Sequence, residues 1–212
     1  MSGKYDSLLQ PGRIGSMTLK NRMIVSSMGV NLAEADGSCG DRLLAYHERQ
    51  ARGGAGLIML GVTGVAWPHG GNQPRQVAIS EDRHIPGLRA VADAVHKYGG
   101  KLAAQLHHGG MVSVQDAKEG RPIWMPSFPE MGHSDLGEGM LPEEMAAFQD
   151  PDAPAPQPHV MTADDIGTLV QRFAEAAGRA QEAGLDGVEI HGGHGYIISG
   201  FLSPAGNQRD DE

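Results

Sequence analysis

The sequence predicts an α/β protein of consecutive β/α units, of the (β/α)8 barrel class, with this chain covering roughly the first four strands. Three amphipathic helical stretches each stop at glycine, and a short apolar strand follows each of them. That rhythm is the signature of parallel β/α units. All four predicted strands, moreover, finish in polar or glycine-rich groups. In an open doubly wound sheet chemistry gathers at the switch point, so only some strand ends carry it. In a barrel every C-terminal strand end faces one mouth, which favours the barrel here.

In chain order, residues 12–22 (GRIGSMTLKNR) read as a small hairpin or extended lead-in to an apolar strand, Met23–Val25, which ends in Ser26, Ser27, Met28 and Gly29. A first helix is predicted from Asp41 to about Arg52, with Leu43, Leu44, His47 and Ala51 on its inner face. Gly53 and Gly54 stop it, and the second strand, Leu57–Leu60, runs into Gly61, Val62 and Thr63. Leu88, Val91, Ala92 and Val95 keep helical spacing within a second helix over Ile85–Tyr98, closed by Gly99 and Gly100. The third strand, Lys101–Leu106, contains Gln105 and is followed by His107, His108 and two glycines.

Residues 111–160 break the rhythm. They hold eight of the 13 prolines and many acidic residues, so they read as an ordered excursion or lid within one domain. A third helix then begins with Thr162 as N-cap and Asp165 in the capping-box position. Ile166, Leu169, Val170, Phe173, Ala177 and Ala180 form its expected inner face as it runs to about Ala183, and Gly184 ends it before a fourth strand, Gly187–Ile190. Four strands make half a barrel, and typical barrels need about 250 residues. Residues 1–212 are therefore expected to be the N-terminal portion of a single larger barrel domain.

At 212 residues and 40% hydrophobic, the chain can bury a substantial core. Its formal charge of −9 argues against nucleic acid or an anionic membrane as partner. No apolar run approaches the length of a membrane span, and the first residues carry no signal-like apolar region. A single cysteine, Cys39, excludes an intrachain disulfide within this stretch and points to a reducing, cytoplasmic setting.

The most informative stretch is 187–210, GVEIHGGHGYIISGFLSPAGNQRD. Its strand runs straight into His191 and His194, then Tyr196, with Gly192, Gly193 and Gly195 between them. Glycine lets the backbone turn sharply and lets a flat ligand approach. Two imidazole donors and a phenol at one strand end suit polarising a carbonyl and protonating the carbon beside it. The histidines are also candidate zinc ligands, but a third ligand would have to come from elsewhere and the spacing is not the i, i+4 pair of a helical zinc site. Ordinary structural loop histidines and a packed tyrosine are the bland alternative. HGGHGYIISG lacks the third glycine of the dinucleotide fingerprint. His107 and His108 are assigned no role. Gln105 needs a partner for its amide, from backbone or from a heterocyclic ligand.

The segments IGSMTLKNRMIVSSM, GGAGLIML, AVHKYGGKLAAQLHHGG and, above all, AGLDGVEIHGGHGYIISGFLSPAGNQRDDE resemble the old yellow enzyme family of FMN-dependent NAD(P)H:flavin oxidoreductases, including its 2,4-dienoyl-CoA reductase-like branch. The resemblance covers essentially the whole chain. It implies a (β/α)8 barrel with FMN at its mouth and NAD(P)H as reductant. By position, Ser26, Ser27, Met28 and Gly29 match the first-strand segment along the flavin, Val62 the small second-strand residue near the ring, and Gln105 the glutamine that binds the flavin pyrimidine. His191 and His194 match the pair that holds the acceptor's carbonyl oxygen above the flavin, and Tyr196 matches the usual proton donor. The implied chemistry is hydride transfer through the flavin to an α,β-unsaturated carbonyl-type small molecule. No resident metal is implied.

Three positions depart from the family pattern. Met111 stands where arginine is common, Gly29 where a Thr or Cys touches the flavin carbonyl, and Gly61–Val62 replaces a more usual pair. Two rival expectations are a non-catalytic or split half-barrel that needs a complementary chain, and a metal-dependent barrel hydrolase or lyase. The protein is expected to be a homo-oligomer or to depend on a C-terminal half.

Overall fold

The computed structural model describes residues 3–128 and 154–211. A short helix α1 (Asp6–Leu9) leads into an antiparallel hairpin of β1 (Gly12–Ile14) and β2 (Met17–Leu19). Then come β3 (Ile24–Gly29), α2 (Asp41–Arg52), β4 (Leu57–Gly64), a two-residue β5 (Val77–Ala78), α3 (Ile85–His96) and β6 (Lys101–His107). The remainder is α4 (Val114–Glu119), β7 (Pro122–Met125), β8 (Gln157–Val160), α5 (Ala163–Glu182), β9 (Gly187–Ile190) and α6 (Ile197–Leu202).

The main sheet has the order β3–β4–β6–β9, every pair parallel, with β5 attached beside β4. Spatial order therefore follows chain order without reversal, as in a barrel wall and unlike a doubly wound sheet. All three long helices cover one face. Val25, Ile58, Leu60, Leu102, Ala104 and Leu106 point outward into a core with Leu43 of α2, Leu88, Val91 and Val95 of α3, and Leu169, Ala176 and Ala180 of α5. Side chains alternate across a strand, so their neighbours point the other way. Ile24, Ser26, Leu57, Met59, Ala103 and Gln105 line a groove of about 730 Å³ on the inner face. The β1–β2 hairpin closes part of it with Ile14 and Met17. The inner face and the outer strands remain uncovered within the described residues, with Ile24 51%, Val188 40% and Ile190 51% exposed.

Local chemistry accounts for the helices. Asp41 opens α2 and Arg49 and Arg52 sit in its last turn, each charge complementing the helix dipole. The expected capping box on α5 is present. Thr162 Oγ1 accepts from Asp165 N–H at 3.2 Å, and Asp165 Oδ2 accepts from Thr162 N–H at 2.9 Å.

Boundaries and one face differ from expectation. β3, β4 and β6 extend to Gly29, Gly64 and His107, past the last apolar residues. Backbone pairing continues there, with Gly29 beside Gly61 and Gly64 beside His107, and a backbone ladder needs no apolar side chain. Helix α3 ends at His96 instead of Tyr98, whose N–H turns to Val95 O at 3.1 Å. Val170 is 63% exposed, so the inner face of α5 runs through Leu169, Phe173, Ala176 and Ala180. Within the 111–160 excursion, α4, β7 and β8 are ordered, and β7 pairs parallel with β8. The central part of the expected lid, 129–153, lies outside the described residues.

Candidate active site

The end of β9 is tied to β6 by His191 N–H donating to Leu106 O at 3.1 Å. The chain then turns through His194, whose φ of +60° lies in the left-handed region. Such a conformation in a non-glycine residue is uncommon and clusters at functional sites. The turn closes with Tyr196 N–H donating to Gly193 O, and Tyr196 becomes the N-cap residue of α6. Three rings converge as a result. His191 lies 5.2 Å from His194 and 4.8 Å from Tyr196, and His194 lies 6.1 Å from Tyr196, all edge-on between centroids.

Gly193 N–H donates to His191 Nδ1 at 3.3 Å, so the neutral ring carries its proton on Nε2. That nitrogen is 3.4 Å from His194 Nδ1. Burial, then the neighbouring His194, hold His191 below the usual histidine range, with Glu189 pulling the other way. His191 is consequently a neutral donor near pH 7.

On the neighbouring strands, Ser26, Ser27 and Gln105 line the inner groove, while Met28, Gly29 and Val62 do not line it. Met28 is 59% exposed at the end of β3. Ser27 Oγ donates to Glu189 Oε2 at 3.1 Å across the wall. Gln105 is buried as a residue but lines the groove, and no hydrogen bond engages its amide among the described residues. A Cβ on Gly61 would stand 2.6 Å from Ser27 Cβ and 3.2 Å from Gln105 Oε1. Gly61 thus lets Ser27 and Gln105 pack directly against β4, and an amide free to pair at the groove wall fits the edge of a flat heterocycle such as a flavin. At Gly29 the missing side chain is replaced from another loop: Gln73 Nε2 donates to Gly29 O at 3.1 Å, where a Cβ would meet it.

The structure also gives places to side chains assigned no role from sequence. His107 packs perpendicular to Tyr196 at 4.4 Å and lies 5.6 Å from His191. His108 is fully buried, stacks on Trp124 at 5.6 Å, and through its carbonyl accepts Ile197 N–H at 3.2 Å. A spacing rule could not find His107, because its partner Tyr196 is 89 residues away (196 − 107). Asp116, with no exposed surface, accepts from Gly70 N–H at 2.7 Å and Arg121 Nε at 2.6 Å, fastening the loop after β4 to α4. Burial raises the Cys39 thiol to about 12, which fits an unreactive loop cysteine. Among the described residues no group of three His, Cys, Asp or Glu side chains could hold a metal ion. No helix among them is long and apolar enough to cross a membrane.

Four strands in sequential parallel order, with polar groups gathered at the C-terminal ends, make this part of a (β/α)8 barrel. Comparison with known proteins supplies the family. The family model of the NADH:flavin oxidoreductase / NADH oxidase family matches residues 7–212, and the chain belongs to that family. It is 36% identical to an NADH oxidase of Thermoanaerobacter brockii over 98% of this chain and 29% of that protein. It is 34% identical to an NADPH dehydrogenase of Clostridium acetobutylicum over 94% of this chain and 52% of that protein. Among solved structures, an old yellow enzyme from a Pichia species superposes with a TM-score of 0.79 at 26% identity, over 97% of this chain and 50% of that one. The chain thus spans about half the length, or less, of the relatives it matches. FMN is the family's cofactor and NAD(P)H its reductant.

Proposed function

We propose that this chain is the N-terminal part of a single FMN-dependent oxidoreductase barrel that reduces an α,β-unsaturated carbonyl compound with NAD(P)H. One observation carries the reading: His191, His194 and Tyr196 converge within 4.8–6.1 Å at the end of β9. When bound, FMN supplies the β-carbon of the substrate with the hydride taken from NAD(P)H. The residues supply everything else. Gln105 pairs with the pyrimidine edge of the cofactor, with Ser26 and Ser27 beside it on the groove wall, and Met28, Gly29 and Val62, which lie outside that groove, are placed at its ring by the family resemblance alone. His191 donates from Nε2 to the substrate's carbonyl oxygen, and His194, whose Nδ1 accepts from that nitrogen at 3.4 Å in this structure, is the second donor of the pair. Negative charge gathers on that oxygen as hydride arrives. Donors already aimed at it lower the barrier, and loss of one such donor costs about 10²–10³ in rate. Tyr196, half-buried and open to solvent for reprotonation, gives its proton to the α-carbon. Hydride on one carbon and a proton on the other complete the reduction.

The uncovered inner face and the outer strands β3 and β9, each paired on one side only among the described residues, support completion by further barrel strands. The split half-barrel alternative shares that support; the metal-dependent alternative has no ligand cluster among the described residues behind it. The test is Tyr196→Phe in the full-length protein, with the two half-reactions followed separately by flavin absorbance. Substrate reduction is expected to slow by about 10²–10⁴, with flavin reduction by NAD(P)H little changed. Equal loss in both steps would remove Tyr196 from the acid role.

A further inference from the structure

We propose that His107 is a positioning residue for Tyr196, its one N–H taken up by Asn72 so that none is free, and that this pair aims the phenol over the substrate. The proposal rests on the reading above and adds to it two residues outside the expected set.

The orientation of Asn72 is over-determined. Its Nδ2 donates to Val112 O at 2.8 Å and its backbone N–H donates to Gln76 Oε1 at 2.8 Å. Its Oδ1 is thereby left facing His107 Nε2 at 2.9 Å. A carbonyl oxygen only accepts, so the His107 proton must lie on Nε2. Nδ1 is then a bare lone pair, and it is buried with no partner among the described residues. An unpaired buried acceptor costs stability and calls for a reason. The reason proposed is selectivity within the site. A ring with no free N–H cannot compete with His191 and His194 for the substrate's oxygen, and it cannot replace Tyr196 as the acid. Burial first, and then His191, press His107 down to about 3, so it stays neutral throughout the physiological range.

Tyr196 is held on both its faces of attachment. Its ring stands at 90° to His107 with centroids 4.4 Å apart, a favoured edge-on contact. Its backbone is fixed one residue on, where Ile197 N–H donates to His108 O. The His107 carbonyl is itself anchored by Val65 N–H at 3.0 Å. Gly109 leaves room for the arrangement, since a Cβ there would stand 2.3 Å from Asn72 Oδ1. The titratable groups that face His107 are His191 and Tyr196 from the turn after β9 and His108 beside it.

The experiment uses full-length holoenzyme with ¹⁵N-labelled histidine and three variants: His107→Ala, His107→Phe and Asn72→Asp. The ¹⁵N shifts should show His107 as the neutral Nε2–H form from pH 8 to pH 5; an Nδ1–H form or an imidazolium at pH 7 overturns the proposal whether or not any substrate is turned over. His107→Ala should lower kcat for substrate reduction by about 10- to 100-fold, as expected for a catalytic group displaced by about an ångström, with KM and flavin reduction by NAD(P)H nearly unchanged. His107→Phe, which keeps an edge-on ring, should restore most of that loss. Asn72→Asp places a carboxylate on Nε2 and should create an imidazolium, visible in the ¹⁵N shifts and as a new acid limb in substrate reduction. Full activity in His107→Ala, failure of His107→Phe to rescue, or Asn72→Asp without a new limb would each overturn the role. Wild-type enzyme that reduces no unsaturated carbonyl, but shows the expected shifts, would overturn the reaction class and leave the locked tautomer standing.

Discussion

Replacement of Gly110 by alanine tests how α6, and with it Tyr196, is docked on the barrel wall. Gly110 has a φ of +57°, and an added Cβ would lie 2.8 Å from Ile197 N, 2.9 Å from Ile197 Cα and 3.2 Å from Ile197 Cβ. The left-handed conformation alone costs an L-residue about 1–2 kcal/mol. Ordinary carbon contacts need about 3.5–4.0 Å, so the start of α6 must retreat by about 0.7 Å or more. The atoms in the way are mostly backbone and cannot rotate aside. Retreat stretches the 3.2 Å bond from Ile197 N–H to His108 O, worth about 0.5–1.5 kcal/mol, and loosens the buried Ile197 side chain. The total is about 3 kcal/mol. Gly167→Ala is the control. It lies inside α5 with nothing within 4 Å of its Cβ, and alanine there should stabilise by about 0.5–1 kcal/mol. Urea denaturation of the full-length protein, with hydrogen exchange across 196–202, measures both. A loss below about 1 kcal/mol for Gly110→Ala, with exchange at 196–202 unchanged, would refute the docking argument.

Two further outcomes follow from the same geometry. His107 and His108 are buried as neutral rings, His107 with its value pressed to about 3 and His108 well below the ordinary one, in each case chiefly by burial. Between that depressed value and the unfolded value of about 6.5 the unfolded chain binds more protons, so stability falls as pH drops through this window. His107 alone accounts for about 5 kcal/mol over the whole window, of which about 3 kcal/mol falls above pH 4.5, and denaturation midpoints that stay flat from pH 7 to pH 4.5 would contradict this. Gly61→Ala brings a Cβ to 2.6 Å from Ser27 Cβ between β3 and β4 and should weaken FMN binding by about tenfold, as an overpacked site must shift its strands. Fluorescence titration of the apoprotein with FMN measures this, and unchanged affinity would take Gly61 out of the cradle.

The β/α order, the helix limits to within a few residues and the His191–His194–Tyr196 cluster were legible in the chain, because all rest on short-range rules. Helical spacing marks α2, α3 and α5, a capping box starts α5, and three functional groups within six residues share one strand end. Even the one misjudged face is a local error, since Val170 sits next to Leu169 and either fits an apolar stripe until packing chooses between them.

What no local rule supplied lies between residues distant in the chain. Hydrophobic periodicity reports that a strand has a buried side but not which strand it pairs with, so barrel and open sheet separated only when β3–β4–β6–β9 was found in sequential order. The orientation of Asn72, the tautomer of His107 and the perpendicular seating of Tyr196 likewise depend on pairs 35 and 89 residues apart (107 − 72 and 196 − 107). Composition and spacing set which groups are available at each strand end. Pairing the strands side by side sets which of them touch, and a hydrogen-bond direction exists only once two such groups share a contact.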